Sequence, residues 1–207
     1  MKLLPIAVLI SGNGSNLQAL IDAIQSGILH AEIKVVISNK PDAYGLERAK
    51  KAGIQAEVFS FAKFKREGKG IREEYDAQLA TFLKQFGVSL IVLAGWMHIV
   101  SPSFLEQFPQ RVINLHPALL PSFPGVDAIK QAWEYGVRCT GVTVHVVDSG
   151  VDTGPIILQE SLKILSSDTL HTLSERVRAL EHLLLPRAVE LFAQDKVVVQ
   201  GRKVVLV

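Results

Sequence analysis

The residues best suited to chemistry close an apolar run, Val112-Ile113-Asn114-Leu115-His116. Alternate residues of an extended chain face the same way, so Val112, Asn114 and His116 share one face. An amide beside an imidazole can donate to an oxygen that gains negative charge, and an imidazole can also take or release a proton near neutral pH. Three prolines follow within Pro117-Ala118-Leu119-Leu120-Pro121-Ser122-Phe123-Pro124-Gly125. Each fixes one backbone angle and removes one donor. A loop that stiff loses little entropy on meeting a ligand and can act as a preformed wall. A structural histidine at a strand end is the competing reading of His116; Asn114 and the stiff loop weigh against it.

A carboxylate stands in Gly150-Val151-Asp152-Thr153-Gly154-Pro155. Two glycines and a proline shape this turn, and Asp152 could merely cap it. Asp148 is a second candidate, less tightly framed. A further turn, Ser11-Gly12-Asn13-Gly14-Ser15-Asn16, separates the run Ile6–Ile10 from a helical pattern. Its glycines let backbone N–H groups approach a ligand, and a helix start adds unpaired N–H groups and a positive dipole end. The third glycine of a dinucleotide fingerprint is replaced by Leu17, and Ser38-Asn39-Lys40 offers no acid for a ribose hydroxyl. A single phosphate ester fits the turn better, and a plain N-cap is an equal alternative.

The other histidines are His30 and His171, expected to be exposed, His98 at another strand end, His145 within a strand and read as structural, and His182 beside Glu181. None has metal-ligand spacing, so no metal is expected.

These residues need a scaffold. Apolar runs at Ile6–Ile10, Ile33–Ser38, Ala56–Phe59, Leu90–Ala94, Val112–His116, Val142–Val147 and Ile156–Leu162 read as strands, several apolar on both faces. Leu17, Leu20, Ile21 and Ile24 mark one helical face, and Tyr75, Leu79, Phe82 and Leu83 another. A long final helix carries Leu170, Leu173, Val177, Leu180, Leu184, Ala188 and Leu191. The alternation predicts a doubly wound, mostly parallel α/β sheet whose carboxyl edge binds ligands. The short link from Asp148 to Pro155 suits an antiparallel hairpin, and Val197–Gln200 with Lys203–Leu206 a second one. The carboxyl-terminal part of the sheet is therefore antiparallel.

The chain has 207 residues, 48% hydrophobic and 20% charged, with net charge +2. That length buries about 70% of the unfolded surface and suggests one domain, with residues 1–115 and 116–207 as halves of one sheet. The near-neutral balance gives no nucleic-acid footprint. The basic run from Lys63 to Arg72 reads as a solvated loop, with a patch attracting anionic substrate as the alternative. Met1–Gly12 imitates a short signal peptide, but Pro5 breaks it and a polar turn comes next, so a buried strand is expected. No run reaches a membrane span. Cys139, the one cysteine, reads as a small packing residue and fits a reducing compartment. The chain is expected to be cytoplasmic, a monomer or homodimer.

Taken together, ISGNGSNLQAL, NLHPALLPSFPG, GVTVHVVDSGVDTGPIILQ and RVRALEHLLLP resemble the glycinamide ribonucleotide formyltransferases, folate-dependent enzymes of purine synthesis. The N-x-H-P…LLP…PG segment marks the wider folate formyl-transfer superfamily, and GNGSN points to a phosphoribosyl substrate. The resemblance implies a Rossmann-like formyltransferase fold, 10-formyltetrahydrofolate as co-substrate and no metal. It implies Asn114, His116 and Asp152 as the catalytic trio; a carboxylate near His116 would favour its charged form and fix its orientation. It places the ribonucleotide on Gly12, Asn13, Gly14, Ser15, Asn16 and Glu181. Folate contacts fall on Trp96, Met97, His98, Ile99 and Val100, on Val147, Asp148, Ser149, Gly150 and Val151, and on the Phe123–Gly125 wall. Leu120–Pro121 stands where relatives have a cis bond. His98 departs from the arginine common there, and Asp127 and Ile129 from two expected histidines. A formyltetrahydrofolate hydrolase, which needs no phosphate turn and carries an added domain, is the nearest alternative. Methionyl-tRNA formyltransferase calls for more positive charge and an RNA-binding domain, and a non-catalytic nucleotide-binding module has no use for the trio.

Overall fold

The computed structural model describes residues 3–66 and 71–207. In chain order the elements are β1 (Leu4–Ile10), α1 (Ser15–Gln25), β2 (Ala31–Ser38), α2 (Tyr44–Lys51), β3 (Ala56–Val58), α3 (Phe61–Arg66), α4 (Arg72–Lys84), β4 (Leu90–Leu93), α5 (Pro102–Gln107), β5 (Val112–His116), α6 (Ala128–Tyr135), β6 (Cys139–Val146), β7 (Ile156–Lys163), α7 (Leu170–Ala193), β8 (Val197–Gln200) and β9 (Lys203–Leu206). Among the described residues nine strands form one sheet in the order β3-β2-β1-β4-β5-β6-β7-β9-β8. Strands β1 to β5 pair in parallel, β6 is antiparallel to both β5 and β7, and β8 pairs antiparallel with β9. The doubly wound sheet with an antiparallel end is the architecture expected from the sequence.

The central strands are apolar on both faces because both faces are covered. Ile6, Val8 and Ile10 of β1 join a core with Leu17 and Leu20 of α1 and Leu173, Val177 and Leu185 of α7. Ala7 and Leu9 point the other way, into a second core with Tyr75, Leu79 and Leu83 of α4 and Phe104 of α5. Full burial of each such Leu, Ile or Val side chain contributes about 1.5–3 kcal/mol, which outweighs the modest helix propensity of the covering segments. A capping box starts α7: Thr169 Oγ1 accepts from the Thr172 N–H at 3.2 Å, and Thr172 Oγ1 accepts from the Thr169 N–H at 2.9 Å.

The sheet order reverses between β1 and β4, the switch point where open α/β sheets form a ligand crevice at their carboxyl edge. There the Met97 N–H donates to Ser11 Oγ at 2.8 Å, tying the loop after β4 to the turn after β1. The same loop is pinned by the Ser101 N–H on Asp76 Oδ2 at 2.7 Å.

Some expectations are corrected. Cys139 is exposed at the start of β6 rather than packed. His30 keeps a substantially exposed side chain, as expected, and its Nδ1 also lies 3.0 Å from Glu190 Oε1. The basic run is no single loop, since Lys63–Arg66 belong to α3 and Arg72 opens α4; residues 67–70 lie outside the described residues. Met1 and Lys2 of the signal-like start also lie outside them, and Leu4–Ile10 of that start form strand β1, buried from Ile6 onward. No helix among the described residues is long and apolar enough to cross a membrane.

Candidate active site

Strand β5 carries Asn114 and His116 to the carboxyl edge, and the β6–β7 link carries Asp152 back over them. The link is anchored by the Val147 N–H on Val112 O at 2.8 Å and by the Val146 N–H on Pro155 O at 2.9 Å. A Cβ on Gly154 would lie 1.7 Å from Val146 O, so only glycine lets the link pass that close. Asp152 itself adopts φ +54°, a left-handed conformation that is uncommon for a non-glycine residue.

The carboxylate of Asp152 is the hub. Its Oδ1 accepts from Asn114 Nδ2 at 3.2 Å and lies 3.5 Å from His145 Nε2. Its Oδ2 accepts from the Gly125 N–H at 2.8 Å and lies 3.3 Å from His116 Nδ1. The proline loop therefore fixes both partners, because His116 Nε2 donates to Phe123 O at 2.8 Å. Phe123 has φ +55°, which turns that carbonyl inward, and the Leu120–Pro121 bond is cis.

The sequence suggests a structural His145, yet this residue belongs to the cluster. It pairs directly across from Asn114 in the β5–β6 ladder, and its Nε2 lies 3.3 Å from Asn114 Nδ2. Its Nδ1 lies 3.0 Å from Val146 O, an atom that only accepts, so Nδ1 carries the proton. The sequence carries no signal for this pairing, because β6 follows β5 only after the proline loop and α6.

Burial pushes the His116 pKa below that of free imidazole; the Asp152 charge and the Phe123 carbonyl pull it up but do not offset the burial. Asp152 favours the charged form, as expected, and burial opposes it more strongly. Burial raises the Asp152 carboxyl, but the neighbouring His145 and His116 rings and the hydrogen bond from the Gly125 N–H outweigh it and leave it below the usual carboxylate range. His116 thus directs Nε2–H to Phe123 O and turns Nδ1 towards the Asp152 carboxylate.

At the other end of the crevice, α1 starts without a side-chain cap, on Gly14 at φ +73°. Among the described residues the N–H groups from Gly12 to Leu17 have no hydrogen-bond partner, a run of donors suited to an anion. Asn16 Nδ2 donates to Glu181 Oε2 at 3.2 Å, and Asn16 Oδ1 is buried without a partner. Burial raises the Glu181 carboxyl, against that hydrogen bond and the charge of Arg178.

The Trp96–Val100 segment divides. Met97 and Ile99 are exposed, whereas Trp96 and Val100 are buried in the second core, with Trp96 Nε1 unpartnered. His98 lies among Phe61, Tyr75 and Trp96, and Arg72 Nη2 lies 3.1 Å from its Nδ1 and donates to Ile99 O at 2.7 Å. Arg72, which sequence reasoning does not single out, supplies a cation beside the position where an arginine is expected. Burial and Arg72 lower the His98 pKa. In the facing link Val147 packs on the second core. Asp148 Oδ1 accepts from the Gly150 N–H and Thr153 Oγ1, so it shapes the turn, while Ser149, Gly150 and Val151 are exposed. Asp127 precedes α6 at φ +56° without capping it by its side chain, and Ile129 packs against the first core.

Such a sheet, with an amide, an imidazole and a carboxylate gathered at its carboxyl edge, is the arrangement of a group-transfer enzyme. The model of the family described as formyl transferase matches residues 4–189, and the chain belongs to that family. It is 45% identical over 200 residues to a protein of Dictyostelium discoideum named phosphoribosylglycinamide formyltransferase, covering 91% of this chain and 97% of that one. It is 50% identical over 190 residues to the trifunctional purine biosynthetic protein adenosine-3 of Drosophila pseudoobscura pseudoobscura, spanning 91% of this chain but only 14% of that much longer protein. Among solved structures, glycinamide ribonucleotide transformylase 1 from Symbiobacterium toebii superposes with a TM-score of 0.94 at 45% identity, covering 100% of this chain and 95% of that one.

Proposed function

We propose that this chain transfers a formyl group from 10-formyltetrahydrofolate to the amine of glycinamide ribonucleotide, giving formylglycinamide ribonucleotide and tetrahydrofolate in purine biosynthesis. The observation that carries the reading is the meeting of Asn114, His116 and Asp152 at one sheet edge, in a crevice whose other end is the unpaired N–H run of Gly12–Leu17.

The turn residues Gly12, Asn13, Gly14 and Ser15 hold the ribonucleotide phosphate through backbone donors. Asn16 Oδ1 and the Glu181 carboxyl, both acceptors in a buried place, take its sugar hydroxyls. The exposed apolar side chains of Met97, Ile99 and Val151 fit the flat folate ring, which supplies the formyl group as an amide of its own nitrogen. Backbone of His98, Val100 and the Val147–Val151 link frames that ring, and Trp96 supports it from beneath.

In the reaction Asn114 Nδ2 exchanges Asp152 Oδ1 for the formyl oxygen as negative charge grows there. The carboxylate oxygen holds the place of that charge until substrate arrives. A donor of this kind contributes about 3–4 kcal/mol of transition-state stabilisation. His116 Nδ1 and Asp152 Oδ2, 3.3 Å apart, receive the proton of the attacking amine and return it to the leaving nitrogen, directly or through one water.

Residues 1–207 act in this reading as one formyltransferase domain in the cytoplasm. The phosphate turn lies in 1–115, and the folate link and α7 lie in 116–207. Mixing the purified protein with 10-formyltetrahydrofolate, with and without glycinamide ribonucleotide, tests it. Consumption that depends on the ribonucleotide supports the transferase. Equal consumption without it indicates a hydrolase, and none in either mixture a binding module.

A further inference from the structure

Arg48 reaches the phosphate turn from behind, and we infer that it is a positioning residue that makes the turn a donor-only cradle for a phosphate ester. This deepens the proposed function and rests on it.

Helix α2 is built into the turn. The Gly45 N–H donates to Gly12 O at 3.1 Å. A Cβ on Gly14 would lie 2.6 Å from Gly45 Cα, and a Cβ on Gly45 would lie 2.3 Å from Ile10 Cδ1. The two glycines let the turn and the helix start touch backbone to backbone. One turn further along α2, Arg48 folds back over this contact. Its Nε donates to Asn13 O at 2.9 Å, its Nη2 to Asn13 Oδ1 at 3.1 Å and its Nη1 to Gln18 Oε1 at 3.2 Å. Its guanidinium carbon lies 4.9 Å from the centre of the Tyr44 ring, which holds the plane of the fork. Gln18 is fixed in turn by donating to Asp22 Oδ1 at 2.8 Å.

The chemical consequence falls on Asn13. An asparagine offers acceptors as well as donors, and an acceptor facing a phosphate oxygen repels it. Arg48 captures both oxygens of Asn13. Among the described residues the Asn13 N–H and Nδ2 have no partner, so donors are what Asn13 has left to offer. Gly12 O is likewise taken, by Gly45. Arg48 also adds a positive charge next to the helix start, where an anion is already favoured. Three of its five N–H groups are committed to Asn13 and Gln18, and the role inferred for Arg48 runs through Asn13. A lysine keeps the charge but has no planar fork to hold two oxygens of one residue.

Arg48→Lys and Arg48→Gln test this in steady state, each substrate varied in turn, with inorganic phosphate as competitor. In both variants the KM for glycinamide ribonucleotide and the inhibition constant of phosphate rise together, on the order of tenfold. The turnover at saturating ribonucleotide and the KM for 10-formyltetrahydrofolate stay within about twofold. Full recovery of ribonucleotide affinity in Arg48→Lys overturns the inference, because charge alone then suffices. A loss shared equally by both KM values and kcat, with a lower Tm, also overturns it, because Arg48 is then only a structural brace. If the unaltered protein does not use the ribonucleotide, the proposed function fails separately. The rise in Tm that phosphate gives the unaltered protein, and its loss in both variants, then still decides the role of Arg48.

Discussion

His116 Nδ1 faces Asp152 Oδ2 at 3.3 Å while the opposite ring nitrogen is committed to Phe123 O. In the proposed reaction the pair takes up the proton, His116 being held by Phe123 O and Asp152 by the Gly125 N–H. Asp152→Asn removes the negative partner and keeps the shape. Turnover falls by about a hundredfold or more, the scale of general acid–base catalysis. The circular dichroism spectrum is unchanged. Retained turnover in a folded variant contradicts this assignment.

The lowered pKa of His116 sets a pH dependence with a definite sign. Its folded value lies below its unfolded value of about 6.5, so the unfolded chain binds the proton more readily. The stability is therefore complete above the unfolded value and is lost as pH falls towards the folded one. The lowered Asp152 carboxyl acts in the same direction at lower pH, being lost as pH falls through its folded value. Urea titrations at descending pH show a falling midpoint, and His116→Gln makes the decline shallower. His98 and His182, also lowered by burial, account for part of what remains.

Much of this site is legible in the residues themselves. Strand period puts Asn114 and His116 on one face, and the short Asp148–Pro155 link gives the hairpin that returns Asp152 to them. His145 is not legible, because its role depends on which residue of β6 pairs with Asn114, and the length of the loop before it does not fix that register. Arg48 and Gly45 are hidden for a similar reason: Arg48 meets Asn13 across 35 residues of sequence, and nothing in Tyr44–Lys51 marks either contact. Nor does the sequence separate the buried side chains of Trp96 and Val100 from the exposed ones of Met97 and Ile99. Apolarity alone does not say which residues of a loop enter the core. The sequence shows a carboxylate that favours a charged His116 but not the burial that opposes it.

Asn114 lies between Asp152 Oδ1 and His145 Nε2, so His145 keeps its amide from rotating. His145→Ala frees that rotation. The expected effect is a fall in kcat of about tenfold with little change in either KM, the pattern of an interaction realised in the transition state. A rise in the KM for the ribonucleotide instead places His145 in substrate binding.

Gly154 is the narrowest point of the link. Gly154→Ala drives a methyl group against Val146 O, and the backbone has to move. Destabilisation by about 1–3 kcal/mol is expected. Turnover is lost even where the protein remains folded, because Asp152 rides on the same link. Thermal unfolding and a rate assay on one sample separate the two effects.

The most direct measurement tracks an isotopically labelled formyl carbon. With the unaltered protein and both substrates, nuclear magnetic resonance shows the label moving from the folate nitrogen to the amine of glycinamide ribonucleotide. Asn114→Ala and Asp152→Asn slow that movement by orders of magnitude. Label released as formate, or transferred at the unaltered rate by either variant, contradicts the account.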